Sequence, residues 1–227
     1  MKVGAFLVLP GNHDIFATSY QSALHQDPSS LAYSVNLNKQ YRLIFADSNI
    51  YDNQESQGHP ITNGRISTLQ LNWIEQELID AQNQHQRVFF FMHHNLYRHN
   101  KVIYQGYVLD NAVEVQSLLQ KYGVKIVFSG HMHAQNIIGP FANCAIAEVA
   151  GACFCMTKQE YGQVQLDEEE MQYQAHSFEM KPWLTKEEKQ KVLADFHQYL
   201  QHLFFSLGER QLSQIRSIEL ELFCWGK

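Results

Sequence analysis

Three short clusters of histidine, asparagine and glycine, each placed directly after an apolar run, constrain this chain more than any other feature. Val3 to Leu9 leads into Pro10-Gly11-Asn12-His13-Asp14, Val88 to Met92 into His93-His94, and Val124 to Ser129 into Gly130-His131-Met132-His133. Short apolar runs bounded by turn residues read as buried β-strands. Residues at strand ends can converge on one site although they lie far apart in the chain. Imidazole nitrogens and an amide oxygen gathered at such a rim are borderline donors suited to zinc, iron or manganese. The glycines let the backbone turn tightly beside a ligand. Taken singly, Asn-His-Asp is an ordinary turn or helix cap, and a lone Gly-His-x-His is a weak metal signal. Their ordered recurrence, each after a strand, is what points to a site.

The segments between the clusters supply the fold class. Ala32 to Leu37 and Tyr41 to Ala46 flank Asn38-Lys39-Gln40 and predict a hairpin. The polar stretch Asn49 to Asn63 predicts a loop. Ser67-Thr68-Leu69-Gln70 is a capping-box start, and Leu71, Ile74, Leu78 and Ala81 then recur at helical spacing. Asn111 and Glu114 open a second helix with Val115, Leu118, Leu119 and Tyr122 inward and Gly123 as its stop. Alternating strands and helices argue for a mixed sheet covered by helices, an α+β arrangement. Ala145 to Val149, Gly162 to Leu166 and Gln172 to Phe178 read as later strands of a second sheet. The character changes near Lys181-Pro182. Thr185 and Glu188 form a capping box, and Val192, Phe196, Leu200, Leu203 and Leu207 mark one face of a long helix closed by Gly208. Leu212, Ile215, Ile218 and Leu222 suggest a further helix. The expected organisation is an α+β domain over 1–180 and a helical C-terminal extension over 181–227.

Composition narrows the partners. The chain has 227 residues and a net charge of −6, with a pI of about 6.0. That balance lacks the basic footprint of a nucleic-acid binder, and no apolar run approaches the length of a membrane span. Val3 to Leu9 runs straight into Gly11-Asn12-His13-Asp14 without a small-residue cleavage site, so it reads as a strand, not a signal-peptide core. The cysteines, Cys144, Cys153, Cys155 and Cys224, fit neither a disulfide framework nor a C-x-x-C pair. They read as buried thiols, which favours a reducing, cytoplasmic setting.

In this order the three clusters resemble the later motifs of the calcineurin-like metallophosphoesterase family, which includes purple acid phosphatases and bacterial cyclic-nucleotide phosphodiesterases. Those motifs are G-N-H-[DE], a strand-terminal His and G-H-x-H. The resemblance implies a β-sandwich flanked by helices (αββα), a pair of divalent metal ions (manganese, iron or zinc), and hydrolysis of a small phosphoester, either a monoester or a diester such as a cyclic nucleotide. By motif match, Asn12, His93 and His131 would hold one metal and His133 the other. His13 would face the leaving-group oxygen as general acid, since imidazole titrates close to neutral pH. Asp14 would hold the turn or the imidazole in place. His94 would support the ligands or face the substrate. Tyr97, Arg98 and His99 either line the substrate mouth or form a solvated loop.

The family also carries D-x-H and then G-D on strands that precede G-N-H-D. Ten residues precede Gly11, so the chain reads as the later portion of such a domain, with an N-terminal segment missing. That segment would supply an Asp, a His and the carboxylate that bridges the two metals. Asp47 is the nearest spare carboxylate by sequence, and its counterpart in the family is not a ligand. Two expectations follow. One is a phosphoester hydrolase domain impaired in this truncated chain. The other is a non-catalytic remnant that acts as a metal-binding or interaction module. Some bacterial cyclic-nucleotide phosphodiesterases of this family carry a helical C-terminal extension, as expected here.

Overall fold

The structure, a computed structural model, describes residues 7–16, 31–51, 61–153, 159–167, 170–178, 182 and 185–186. The chain divides into two compact units, residues 1–153 with 160–176 and residues 154–159 with 177–227. The description below concerns the first. The proposed helical extension from residue 181, apart from residues 182 and 185–186, and the first part of the Val3–Leu9 strand lie outside the described residues. Leu7 to Pro10 form no strand, and Leu7 and Val8 are exposed. This corrects the expectation for that part of the run. An apolar run becomes a strand only where a neighbouring strand can satisfy its backbone, and the described residues offer these positions none.

In chain order the elements are α1 (Asn12–Phe16), β1 (Tyr33–Asn36), β2 (Tyr41–Ala46), α2 (Thr68–Asn83), β3 (Arg87–Met92), α3 (Ala112–Lys121), β4 (Ile126–Ser129), β5 (Asn136–Ile138), β6 (Ala147–Ala150), β7 (Glu160–Leu166) and β8 (Met171–Ser177). Six strands form one sheet in the order β1-β2-β3-β4-β6-β5. The inner four, β2, β3, β4 and β6, run parallel, and β1 and β5 pair antiparallel at the edges. Parallel strands are covered on both faces, which explains near-continuous apolar runs such as Val88 to Met92. Helices α2 and α3 cover one face. Ile74 and Leu78 of α2 and Val115 and Leu119 of α3 pack there against Ile44, Phe90, Met92 and Val127.

The opposite face carries the alternate residues Tyr41, Phe89, Ile126 and Val149. Across it Tyr33, Phe45, Phe91 and Phe128 stack with centroids 4.6, 4.7 and 5.0 Å apart. Strands β7 and β8 form a separate two-stranded sheet, and their Leu166, Met171 and Tyr173 pack on this face. The result is helices, sheet and second sheet in layers, an α+β arrangement.

Two local expectations need correction. The strand near Ala145 to Val149 is β6, and it belongs to the main sheet beside β4, not to the second sheet. Its buried apolar residues suit either sheet, so pattern alone did not choose. The Ser67 hydroxyl does accept from Gln70 N at 3.2 Å. The Gln70 amide, however, donates to the Asp47 carbonyl at 2.8 Å instead of closing the capping box. Among the described residues no helix is long and apolar enough to cross a membrane.

Candidate metal centre

Parallel pairing of β3 with β4 brings their carboxyl ends to one edge of the sheet. His93 and His94 follow β3, and Gly130-His131 follow β4. Gly130 N donates to the His93 carbonyl at 3.0 Å, which joins the two loops. Asn12 arrives as the first residue of α1, directly after the Pro10-Gly11 turn. Gly11 lies so close beneath the imidazole that a Cβ there would sit 2.5 Å from His93 Cε1. The turn is held by Asp14, whose carboxylate accepts from Gly11 N at 2.8 Å. Asn49 ties the same segment to the end of β2, donating to the Pro10 carbonyl at 3.0 Å and to Asp47 Oδ1 at 2.7 Å.

The donors converge. His93 Nε2 lies 3.0 Å from Asn12 Oδ1 and 3.0 Å from His131 Nδ1. Their outward partners assign the inward atoms. Asn12 Nδ2 donates to the Ile61 carbonyl, which leaves Oδ1 facing the cluster. His131 Nε2 is 3.0 Å from each of the Thr62 and Gly106 carbonyls, so it carries the proton and Nδ1 offers a lone pair. At most one proton fits among the three inward atoms. A cation satisfies all of them. Two ligands at right angles, each about 2.1 Å from an ion, lie about 3.0 Å apart, so the spacing suits a divalent metal.

His94 is also part of the histidine group, with ring nitrogens of His93, His94 and His131 all within 4.8 Å of one another. Both of its nitrogens are already engaged. Nδ1 takes the Ser48 hydroxyl at 2.8 Å and Nε2 meets the Thr62 carbonyl at 3.1 Å. That leaves no lone pair for a metal, which separates His94 from its neighbour by geometry.

Electrostatics agree with a ligand set that stays neutral. Burial, followed by the neighbouring imidazoles, pushes His93 down to about 3 and His94 down to about 2. Burial also lowers His131 and His133. Neutral imidazole is the form that binds metal. Backbone strain marks the same loop. His131 and His133 have φ of 62° and 56°, in the left-handed region that non-glycine residues visit rarely and that clusters at functional sites.

The structure thus brings Asn12, His93 and His131 together, with His94 beside them. His133 and His13 are exposed. Both are within electrostatic reach, since a charge on either lowers His93. Asp47 is buried and hydrogen-bonded to Asn49 and Tyr51 and is no member of the histidine group. His99 is not solvated, as one reading of that loop has it: its side chain is buried, 2.9 Å from Glu148. Sequence reasoning missed the Thr62 and Gly106 carbonyls, Ser48 and Glu148. Carbonyls carry no sequence signal, and Ser48 and Glu148 matter only through contacts across the sheet.

Comparison with known proteins points the same way. The family model for calcineurin-like phosphoesterases matches residues 1–135. The 3′,5′-cyclic adenosine monophosphate phosphodiesterases CpdA of Escherichia coli K12 and O157:H7 are each 30% identical over 128 residues, 56% of this chain and 42% of theirs. The chain therefore spans less than half the length of these curated relatives. Among solved structures, a dimetal phosphatase from Danio rerio superimposes with a TM-score of 0.55 at 15% identity, over 72% of this chain and 64% of that one. That likeness concerns the fold, and the family model covers more than half of the sequence. On these grounds the chain belongs to the calcineurin-like phosphoesterase family.

Proposed function

We propose that the protein is a metal-dependent phosphoester hydrolase and that Asn12, His93 and His131 form one half of its metal centre. The observation that carries this reading is the chain of 3.0 Å contacts from Asn12 Oδ1 through His93 Nε2 to His131 Nδ1, with the outward atoms of Asn12 and His131 bonded elsewhere. His133 would contribute to a second ion, of manganese, iron or zinc. A bound divalent ion would supply Lewis-acid polarisation of the phosphoryl oxygens and a more acidic attacking water. His13, exposed next to the cluster, would deliver the proton to the leaving-group oxygen. Asp14 would act by holding the Gly11 turn, which keeps Asn12 and His13 side by side. The named activity of the Escherichia coli relatives supports a cyclic nucleotide as the first small phosphoester to test.

A second reading, a metal-binding module without turnover, draws on a different observation. Among the described residues the group around His93 consists of histidines and the Asn12 amide, with no carboxylate. Two adjacent divalent ions repel strongly, and a bridging carboxylate offsets that repulsion. The 227-residue chain by itself is therefore expected to hold one ion and to hydrolyse diesters slowly. Assay against bis-para-nitrophenyl phosphate and cyclic AMP with manganese, beside His131→Ala, separates the readings. Turnover lost in His131→Ala supports the hydrolase. Manganese binding without turnover supports the module. No binding at all removes both.

A further inference from the structure

We infer that Glu148 is the positioning residue of the metal centre: one buried carboxylate on β6 sets the backbone of both histidine-bearing loops. This rests on the reading of Asn12, His93 and His131 as metal ligands.

Glu148 is fully buried, with no exposed surface. Its strand lies inside the sheet, between β4 and β5. Oε1 accepts from Leu96 N at 2.8 Å and from the Ser129 hydroxyl at 2.6 Å. Oε2 accepts from Tyr97 N at 2.8 Å. His99 Nε2 lies 2.9 Å from the same oxygen, although off the line of a hydrogen bond. Leu96 and Tyr97 are in the loop that begins with His93. Ser129 is the last residue of β4 and stands two before His131. The Asn95 side chain closes the link between the loops, donating to Ser129 Oγ at 2.9 Å and to the Gly130 carbonyl at 3.2 Å.

Chemistry explains why a carboxylate occupies this place. All three hydrogen bonds need an acceptor, and an ionised carboxylate is acceptor-only, with about four lone-pair sites. Hydrogen bonds to a charged acceptor are shorter and roughly twice as strong as neutral ones. A buried charge is tolerated only when donors surround it, and here consecutive backbone N–H groups and a hydroxyl do so. No other residue type of this size accepts at both ends. A glutamine would turn an NH2 group toward Leu96 N and Ser129 or toward Tyr97 N, so one arm must open. Glu148 touches no proposed ligand. Its effect reaches His93 and His131 through the backbone that carries them.

The test is cobalt(II) binding to the 227-residue chain, read by its visible ligand-field absorption and by titration. His131→Ala is the control for the site itself. The unsubstituted chain is expected to bind cobalt, and Glu148→Gln to weaken binding about 10- to 100-fold, the range for partners that orient metal ligands, with an altered absorption spectrum. Ser129→Ala, a milder change, should shift the spectrum the same way with a smaller loss of affinity. It provides the answer if Glu148→Gln does not fold. Glu77→Gln breaks the Arg42–Glu77 pair, 3.0 Å apart, and should lower thermal stability while leaving the spectrum unchanged. Wild-type affinity and spectrum in both Glu148→Gln and Ser129→Ala would overturn the positioning role and leave the metal site standing. Absence of cobalt binding by the unsubstituted chain would overturn both.

Discussion

At the scale of single residues, close approach decides what the site tolerates. Gly64 lies directly against the buried His94 ring, and a Cβ there would overlap the His94 Cγ. Gly11 is in the same position toward His93. Ordinary overpacking in a core costs about 1–3 kcal/mol, and here the group displaced is an imidazole with fixed partners. Gly11→Ala and Gly64→Ala should therefore each lower stability by about that amount and weaken manganese binding, measured by denaturant unfolding and by titration. Gly123, with φ of 75° and nothing near its missing Cβ, is the contrast. Gly123→Ala should cost about 1–2 kcal/mol through the left-handed backbone conformation and leave metal binding unchanged.

Asp47 gives the pH dependence at this scale. Burial raises its pKa above the ordinary value of 3.8, against the lowering effect of hydrogen bonds from Tyr51 and Asn49. The folded chain then holds a proton on Asp47 at pH values where the unfolded chain has released it. Stability from this group falls as pH rises from 3.8 through the raised value, and the full cost of the buried charge is present above it. Asp47→Asn removes that charge, and its amide can donate to Tyr51. The variant should be more stable than the unsubstituted chain at pH 7, by on the order of 1 kcal/mol, with the gap closing as pH falls toward 3.8. Thermal melts of both across that window test it. A gap that widens on acidification would refute it.

At the scale of elements, the helices serve the site by bracing the sheet from which the loops spring. Helix α2 begins at the Ser67 cap, and its Gln70 side chain holds the Asp47 carbonyl at the end of β2. Ser67→Ala removes a cap worth about 1 kcal/mol, and the melting curve should record that loss. Metal affinity should stay within about twofold, because Gln70 keeps its own bond to Asp47 and the histidine loops spring from β3 and β4, away from the Ser67 cap. The hairpin, α2, α3 and the strands β3 and β4 were legible from periodicity and turn residues, because each signal is local. Assignment of β6 to a sheet was not legible. Its burial pattern is satisfied by any apolar partner, and only strand order makes β4 its neighbour.

At the scale of the whole molecule, folding and metal binding should be linked. A ligand that binds only the folded chain adds RT ln(1 + [L]/Kd) to stability, about 2.7 kcal/mol at a hundredfold excess over Kd. For a chain of this length that corresponds to a rise in Tm of about 5–10 °C. Manganese should produce such a rise, a chelator should reverse it, and His131→Ala should abolish it. An unchanged melting curve at saturating manganese would count against the site.

What the sequence by itself determined is the family, together with the residues proposed for its metal centre. Asn12, His93 and His131 stand out because each follows an apolar run at a turn, and that pattern is written in consecutive residues. Their convergence needed the parallel register of β3 and β4, which places His93 and His131 at one edge. Tertiary structure alone decided which atoms face inward, because this depends on the carbonyls of Ile61, Thr62 and Gly106 that engage the outward atoms. The motif match already set His93 apart from His94, and the fold supplied the physical reason: Ser48 and the Thr62 carbonyl engage both nitrogens of His94. Tertiary structure alone gave Glu148 a role, for a buried carboxylate gains meaning only from the donors that the fold gathers around it.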